Sequence, residues 1–157
     1  MVDVATQFAV ENLLARYVHA LDDDRLEEWP GFFTDPCLYK IISAENYRRS
    51  LPIGVIYADS QGMLRDRVSA LREANVFEPH RYRHLVTSTL IVDSDSGLVT
   101  ARSNYQVVRI MQDGRASLFS TGVYIDRISL AGPAPRFAEK LVVFDNELID
   151  TLLAIPL

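Results

Sequence analysis

Four long β-strands joined by three turns constrain the fold of this chain more than any other feature. They run from Arg81 to Thr151, and the turns are Asp95-Ser96-Gly97, Asp113-Gly114 and Gly132-Pro133-Ala134-Pro135. Asp-Gly between two apolar, β-branched runs predicts a hairpin with a two-residue turn, in which the backbone needs positive φ. Strands of this length, joined by short turns, form an antiparallel meander that twists and curls. The sequence therefore predicts a curved sheet with a concave face.

Two amphipathic helices are predicted before the sheet. The first runs from Phe8 to Leu21, and the second begins after Asp59 or Ser60. Their apolar stripes are Val10, Leu14, Tyr17, Val18 and Leu21 in the first helix, and Leu64, Val68 and Leu71 in the second. Stripes of this kind are typical of helices that pack against one face of a sheet.

Shorter elements are predicted between these helices. Asp22-Asp23-Asp24 can cap a short helix that carries Leu26 and Trp29, and Pro30-Gly31 is expected to end or kink it. Leu38 to Ile42 reads as a strand, and Val55-Ile56-Tyr57 is a candidate for a further one. Helices segregated to one side of a curled antiparallel sheet make an α+β roll, in which they close the concave face into a cone. Since no repeat or linker interrupts the chain, residues 1–157 are expected to form a single domain.

Both faces of the predicted sheet are partly apolar. Strict alternation in the last strand places Phe137, Leu141 and Val143 opposite Val142, Phe144 and Leu148. A sheet with one wet face would alternate more cleanly between apolar and polar residues. One face is therefore expected to contact the helices and the other to contact another chain. A homotrimer is the predicted state of the protein alone, because exposed apolar strands favour association.

Charge and cysteine content exclude several classes of function. The net charge is −5 with acidic and basic residues interspersed, so nucleic acid is not an expected partner. No apolar run approaches the roughly twenty residues of a membrane span, and the first residues lack the pattern of a signal peptide. Cys37 is the one cysteine, so no internal disulfide can form and a cytoplasmic location is predicted. It follows Pro36 without a basic neighbour, which favours a small core residue over a nucleophile.

The three histidines are His19, His80 and His84. His80 and His84 have the i, i+4 spacing of zinc-binding pairs on a helix, but they lie at a loop-to-strand junction where this spacing does not bring the rings together. A polar loop edge is the preferred interpretation, and no metal site is predicted. An enzyme remains an alternative, in which Tyr17, Asp22 and His84 would line an open cone and move protons without a cofactor.

With these residues laid out, the chain resembles the small (β) subunits of aromatic-ring-hydroxylating dioxygenases, the Rieske non-haem iron oxygenases. The matching stretches are Leu21-Asp22-Asp23 through Glu28-Trp29, the Leu64-to-Asn75 helix, Arg83-His84-Leu85-Val86, Arg102-Ser103-Asn104-Tyr105, Phe119 to Asp126 and Lys140 to Asp145. Within the family, three segments look nearest to terephthalate dioxygenase small subunits. They are Glu28-Trp29-Pro30 with Phe32-Phe33, Arg72 through His84, and the ending Asp150 to Leu157. Small subunits of salicylate and anthranilate systems are also similar.

This resemblance implies a cystatin-like (NTF2-like) roll and a structural, non-catalytic role in the catabolism of aromatic compounds. It implies an α subunit that holds the Rieske [2Fe–2S] cluster and a mononuclear Fe(II), an α3β3 assembly, and electrons from NAD(P)H through a reductase. No catalytic or cofactor-binding residue is carried over to this chain.

Two other functions use the same roll. One is a stand-alone dehydratase or isomerase, similar to scytalone dehydratase or ketosteroid isomerase, and the other is a dimeric binding module.

The apolar C-terminal residues Leu152 to Leu157 are predicted to dock rather than fray, along a sheet edge or in a subunit contact.

Overall fold

A computed structural model describes residues 1–73, 79–145 and 155–157 of the chain. The helices are α1 (Val4–Asp22), a 3₁₀ helix (Leu26–Phe32), α2 (Ala44–Arg48) and α3 (Gln61–Glu73). The strands are β1 (Phe33–Ser43), β2 (Ile56–Ala58), β3 (His80–Asp95), β4 (Leu98–Met111), β5 (Ala116–Ser129) and β6 (Arg136–Phe144). Residues 146–151 of the predicted last strand lie outside the described part of the chain.

The predicted α+β roll is confirmed. Strands β3 to β6 form the antiparallel meander, and the sheet order is β2-β1-β6-β5-β4-β3. Helix α1 packs on β3, and α3 packs on β1 and the 3₁₀ helix, so the helices cover one face. The sequence did not predict that β1 runs parallel to β6. This pairing lets β1 extend over Phe33–Ser43, well beyond the predicted Leu38 to Ile42.

The three hairpin turns occur where they were predicted, but the second has a different geometry. Ser96 and Gly97 have φ of 52° and 81°, as a two-residue turn of the predicted type requires. In the Asp113-Gly114 turn only Gly114 has positive φ, at 88°, and the connection spans residues 112–115. The expected two-residue turn is wrong here, because the Asp113 carboxylate accepts a hydrogen bond from the Arg115 main chain at 3.0 Å and stabilises a wider loop.

Helix α1 begins four residues before the predicted start. Its N-cap is Asp3, whose carboxylate accepts a hydrogen bond from the main-chain N–H of Thr6 at 2.6 Å. For α3 the prediction is confirmed, since the Ser60 hydroxyl accepts from the main-chain N–H of Met63 at 3.1 Å. The buried stripe of α3 is Leu64, Val68 and Leu71, as predicted.

The predicted cap by Asp22-Asp23-Asp24 is wrong. The 3₁₀ helix has Arg25 at its N-cap, without a side-chain hydrogen bond. Asp22 instead ends α1 and bonds to β3, while Asp24 pairs with Arg72 of α3 at 2.9 Å. Pro30 lies inside the 3₁₀ helix and does not end it.

A β-bulge changes the face assignment of the last strand. Arg127 pairs with Glu139 and Ile128 pairs with Phe137, which leaves Ala138 as an extra residue. The strict alternation predicted for β6 is therefore wrong at this point. Phe137 faces the helices together with Lys140, Val142 and Phe144, and Leu141 and Val143 lie on the other face.

The two faces of the sheet differ in solvent exposure. The concave face is buried against the helices, and its largest fully buried side chains include Tyr17, Trp29, Tyr39, Tyr105 and Tyr124. The outer face leaves large apolar side chains in water, among them Leu85, Leu90, Val92 and Leu118. The interior of the roll is therefore filled by buried side chains, whereas its outer face exposes apolar ones.

Candidate functional site

The interior of the cone is where a protein of this shape would hold a small molecule. At the end near α1 and β1, four groups form a hydrogen-bonded chain. Trp29 Nε1 donates to the Tyr17 hydroxyl at 3.1 Å, and that hydroxyl donates to the main-chain oxygen of Leu157 at 2.9 Å. Tyr39 donates to the same oxygen at 3.0 Å and accepts from the Leu157 N–H at 3.2 Å. The main chain of Leu157 therefore provides hydrogen-bond partners for both tyrosine hydroxyls inside the cone.

Burial fixes the protonation state of these two tyrosines. Desolvation raises the pKa of Tyr17 and of Tyr39 well above the ordinary value for a phenol. Both hydroxyls therefore remain neutral donors at any physiological pH.

The docked C-terminal residues were predicted, but their location was not. Leu157 is fully buried and Ile155 nearly so. The expected sheet edge or subunit contact is wrong for Leu157, because Tyr17 and Tyr39 hold it within the core. Residues 152–154 of the same prediction lie outside the described residues.

A buried ion pair lies next to this cluster. Lys140 on β6 directly opposes Asp126 on β5, and its ammonium lies 3.2 and 3.3 Å from the two carboxylate oxygens. Both side chains are 0% exposed. The same ammonium lies 3.5 Å from the centroid of the Tyr124 ring and 4.5 Å from that of Phe137. The lysine is therefore held by one carboxylate and by aromatic rings.

The pKa values of this pair reflect its burial. Desolvation raises the pKa of Asp126 to about 6, although the Lys140 charge opposes the shift. Desolvation also lowers the pKa of Lys140 to about 8, against the opposing effect of Asp126. Near neutral pH both groups carry charge and each is the other's counter-ion.

Asp22 and His84 form a second polar pair at the contact between α1 and β3. His84 Nδ1 lies 2.6 Å from Asp22 Oδ1, and the His84 main-chain N–H donates to the same carboxylate at 3.0 Å. The pair borders an open groove of about 500 Å³ whose other walls include Val18 and Thr89. A carboxylate that orients a histidine is the arrangement of a general base. The same contacts also pin the end of α1 to β3.

The structure brings together two of the three residues of the enzyme alternative. Asp22 and His84 are paired, whereas the hydroxyl of Tyr17 is engaged by Trp29 and Leu157. His84 is a buried strand residue, so the predicted polar loop edge is wrong for it. It shares a strand face with His80, and the Tyr82 ring lies between the two imidazoles, 5.2 Å from the His80 centroid and 6.0 Å from the His84 centroid.

Two further candidates are His19 and Cys37. His19 is exposed on the outside of α1 and lines the same groove as Asp22 and His84. Cys37 is 7% exposed, and burial raises its pKa to about 11, as expected for a core residue rather than a nucleophile.

Comparison with known proteins identifies the family. A family model described as "Ring hydroxylating beta subunit" matches residues 16–151. The chain belongs to this family. The small subunit of anthranilate 1,2-dioxygenase from Burkholderia cepacia is 39% identical over 99% of this β subunit and 96% of its own length. The terephthalate 1,2-dioxygenase terminal oxygenase subunit beta 1 from a Comamonas species is 41% identical over 91% of this chain and 93% of its own.

Solved structures agree with the fold of this β subunit. A protein from Novosphingobium aromaticivorans, assigned as the beta subunit of an aromatic-ring-hydroxylating dioxygenase, superposes with a TM-score of 0.90 at 41% identity. The match covers 98% of this chain and 97% of that one. A protein assigned as a scytalone dehydratase from the same organism has a TM-score of 0.72 at 14% identity, over 97% and 92% of the two chains. The second likeness concerns the fold alone.

The donor set of this β subunit does not fit a Rieske cluster. Even that type of cluster takes two cysteine ligands, and the chain has one cysteine and three histidines. Among the described residues, no group of three or more His, Cys, Asp or Glu side chains is placed to hold a metal ion. The described part also contains no helix that is long and apolar enough to cross a membrane.

Sequence reasoning missed the pair of Asp126 and Lys140. A signal was present, since each is a charged residue within a strongly apolar strand, where a partner is needed. The partner could be assigned only after the bulge at Ala138 had fixed the register between β5 and β6. Nothing in the sequence indicated that Tyr17 and Tyr39 bind the main chain of Leu157.

Proposed function

We propose that this β subunit is a structural component that supports the α subunit of an aromatic-ring-hydroxylating dioxygenase. In the proposed complex the α subunit carries the Rieske cluster and the catalytic iron, and a reductase supplies electrons from NAD(P)H. The proposed assembly is α3β3, it lies in the cytoplasm, and the β subunit alone forms a homotrimer.

One observation carries the structural role. The two tyrosine hydroxyls inside the cone bind the chain's own Leu157, and the adjoining charges of Asp126 and Lys140 neutralise each other. These groups are saturated by contacts within the chain and are therefore not available to a substrate. The apolar outer face of the sheet supports the association with other subunits.

The proposed substrate class is an aromatic carboxylate such as terephthalate. Two similar relatives are named for anthranilate and terephthalate, and both of these molecules carry a carboxylate on a benzene ring. The relatives are 39% and 41% identical to this chain, which does not separate one substrate from the other.

The pair of Asp22 and His84 favours a second candidate, a cofactor-free dehydratase or isomerase. His84 Nε2 is buried without a hydrogen-bond partner among the described residues, so this nitrogen has the capacity to accept a proton. In the structural proposal the same pair only ties α1 to β3.

A co-expression experiment with the α subunit tests the proposal. We expect the α subunit to assemble only when this chain is present, and we expect His84→Gln to leave turnover unchanged when it is normalised to Rieske cluster absorbance. Arg49→Gln is the control, because Arg49 is an exposed residue at the end of α2 and does not border the groove of Asp22 and His84. A tenfold loss of normalised turnover in His84→Gln alone would contradict the structural role. So would a dehydratase or isomerase activity of the isolated chain that this variant abolishes.

A further inference from the structure

A large cleft lies outside the cone, between α1, the 3₁₀ helix and the turn that joins β5 to β6. Its volume is about 680 Å³, within the range of about 300–1,000 Å³ typical of small-molecule sites. The residues that define its chemistry are Leu13, Arg16, His19, Arg25, Phe32 and Arg136. Neither the Asp22–His84 pair nor the Asp126–Lys140 pair lines it.

The cleft is positively charged although the protein carries a net charge of −5. Its acidic wall residue, Glu28, accepts a hydrogen bond from Arg25 at 2.6 Å, and Asp23 lies 3.6 Å from the same guanidinium. Arg16 and Arg136 make no ion pair with any described residue, so their charges are uncompensated. Guanidinium groups match the planar geometry of a carboxylate and bind it with two parallel hydrogen bonds.

The floor of the cleft is apolar. Leu13 is 4% exposed, and Phe32 is half-buried, with its ring edge-on to Tyr17 at 5.7 Å between centroids. An apolar body placed on this floor removes the Phe32 surface from water. The cleft therefore combines a surface for a ring with two free cations.

We propose that this cleft binds a small aromatic carboxylate. The carboxylate pairs with Arg16 and Arg136, and the ring lies on Leu13 and Phe32. The site does not depend on the structural role proposed above, since all of its residues belong to this chain. It is tested on this chain alone.

Binding of benzoate, measured by calorimetry, tests the assignment, with benzamide and inorganic phosphate as comparison probes. Benzamide keeps the ring without the charge, and phosphate keeps the charge without the ring. We expect saturable benzoate binding, and binding of each comparison probe weaker by about tenfold or more. Loss of one charge-assisted hydrogen bond is expected to remove at least the roughly 1.4 kcal/mol that corresponds to a factor of ten in affinity.

Two variants distinguish the contribution of the arginine charges to binding from that of the open volume of the cleft. Arg16→Gln with Arg136→Gln removes both free cations. Gly31→Leu places a side chain in the cleft, because Gly31 lines it and a Cβ at this position meets no atom within 4 Å. Each is expected to weaken benzoate binding by about tenfold or more, for the reason given above. Arg102→Gln, an exposed arginine on β4 outside the cleft, is expected to leave the affinity unchanged.

Three outcomes would overturn the assignment. They are no saturable benzoate binding, phosphate binding as tight as benzoate, and equal benzoate affinity in Gly31→Leu and the unchanged chain. The melting temperature of each variant confirms that it is folded. Since Gly31→Leu alters no charge, it tests the cleft even if the double arginine variant fails to fold.

Discussion

The two faces of the sheet place their side chains in opposite environments. On the concave face even charged residues have partners within the chain, as Asp126 has Lys140. On the outer face, Leu90 and Val92 remain 62% and 55% exposed. Burial penalises an unpaired charge, so the interior holds these charged residues as a pair, whereas the outer face leaves apolar side chains in water. The interior therefore stabilises the fold, and the apolar exterior favours association with another subunit.

The largest effect is expected from breaking the interior ion pair. Lys140→Met leaves Asp126 buried without a counter-charge, and we expect a loss of about 3–5 kcal/mol in the free energy of unfolding at neutral pH. Chemical denaturation followed by circular dichroism measures it. The variant Lys140→Met with Asp126→Leu should recover most of the loss, because an apolar pair needs no counter-charge.

The pH dependence of the Lys140→Met variant sharpens this test. The pKa of Asp126 is raised to about 6 in the folded chain, above its unfolded value, so the folded state binds the proton more tightly. The contribution of this group to stability is therefore full below the unfolded pKa and is lost as the pH rises through the folded pKa. Without Lys140 the folded pKa rises further, so the deficit should shrink as the pH falls toward 4. A deficit that is independent of pH would contradict this account.

A smaller effect is expected where the interior holds Leu157. Tyr39→Phe removes the hydroxyl that both donates to the Leu157 oxygen and accepts from its N–H. Leaving the buried N–H unpaired costs about 1–3 kcal/mol, measurable as a lower denaturation midpoint. Tyr57→Phe is the matched control, since Tyr57 is 54% exposed. Equal midpoints for the two variants would show that the hydroxyl of Tyr39 does not hold the C-terminal residues.

The smallest effect on stability is expected on the outer face. Leu90 and Ile91 are neighbours on β3 that point to opposite faces, with exposures of 62% and 8%. Leu90→Asp should change the unfolding free energy by no more than about 0.5 kcal/mol, as surface changes do, while it weakens the homotrimer or its binding to the α subunit. Light scattering measures the association. Ile91→Asp, which buries a charge, should instead destabilise the fold strongly.

If Leu90→Asp left the association intact, this part of the outer face would not belong to the subunit contact. If it destabilised the chain as much as Ile91→Asp does, the contrast between the two faces would fail.

The sequence by itself determined the elements whose signals are local. Turn residues such as Ser96-Gly97 fix a hairpin through backbone φ, and the stripe of Leu64, Val68 and Leu71 fixes the buried face of α3. The order of these elements was sufficient to predict the roll. The apolar stripe of α1 was likewise sufficient to place Tyr17 on the buried side of that helix.

The tertiary structure alone decided which distant residues meet. The bulge at Ala138 set the face of every residue that follows it in β6, and a shift of one residue exchanges the two faces of a strand. The pairings of Asp22 with His84 and of Leu157 with Tyr39 span 62 and 118 residues. Local propensities carry no information about contacts at such separations, because they depend on how the whole chain packs.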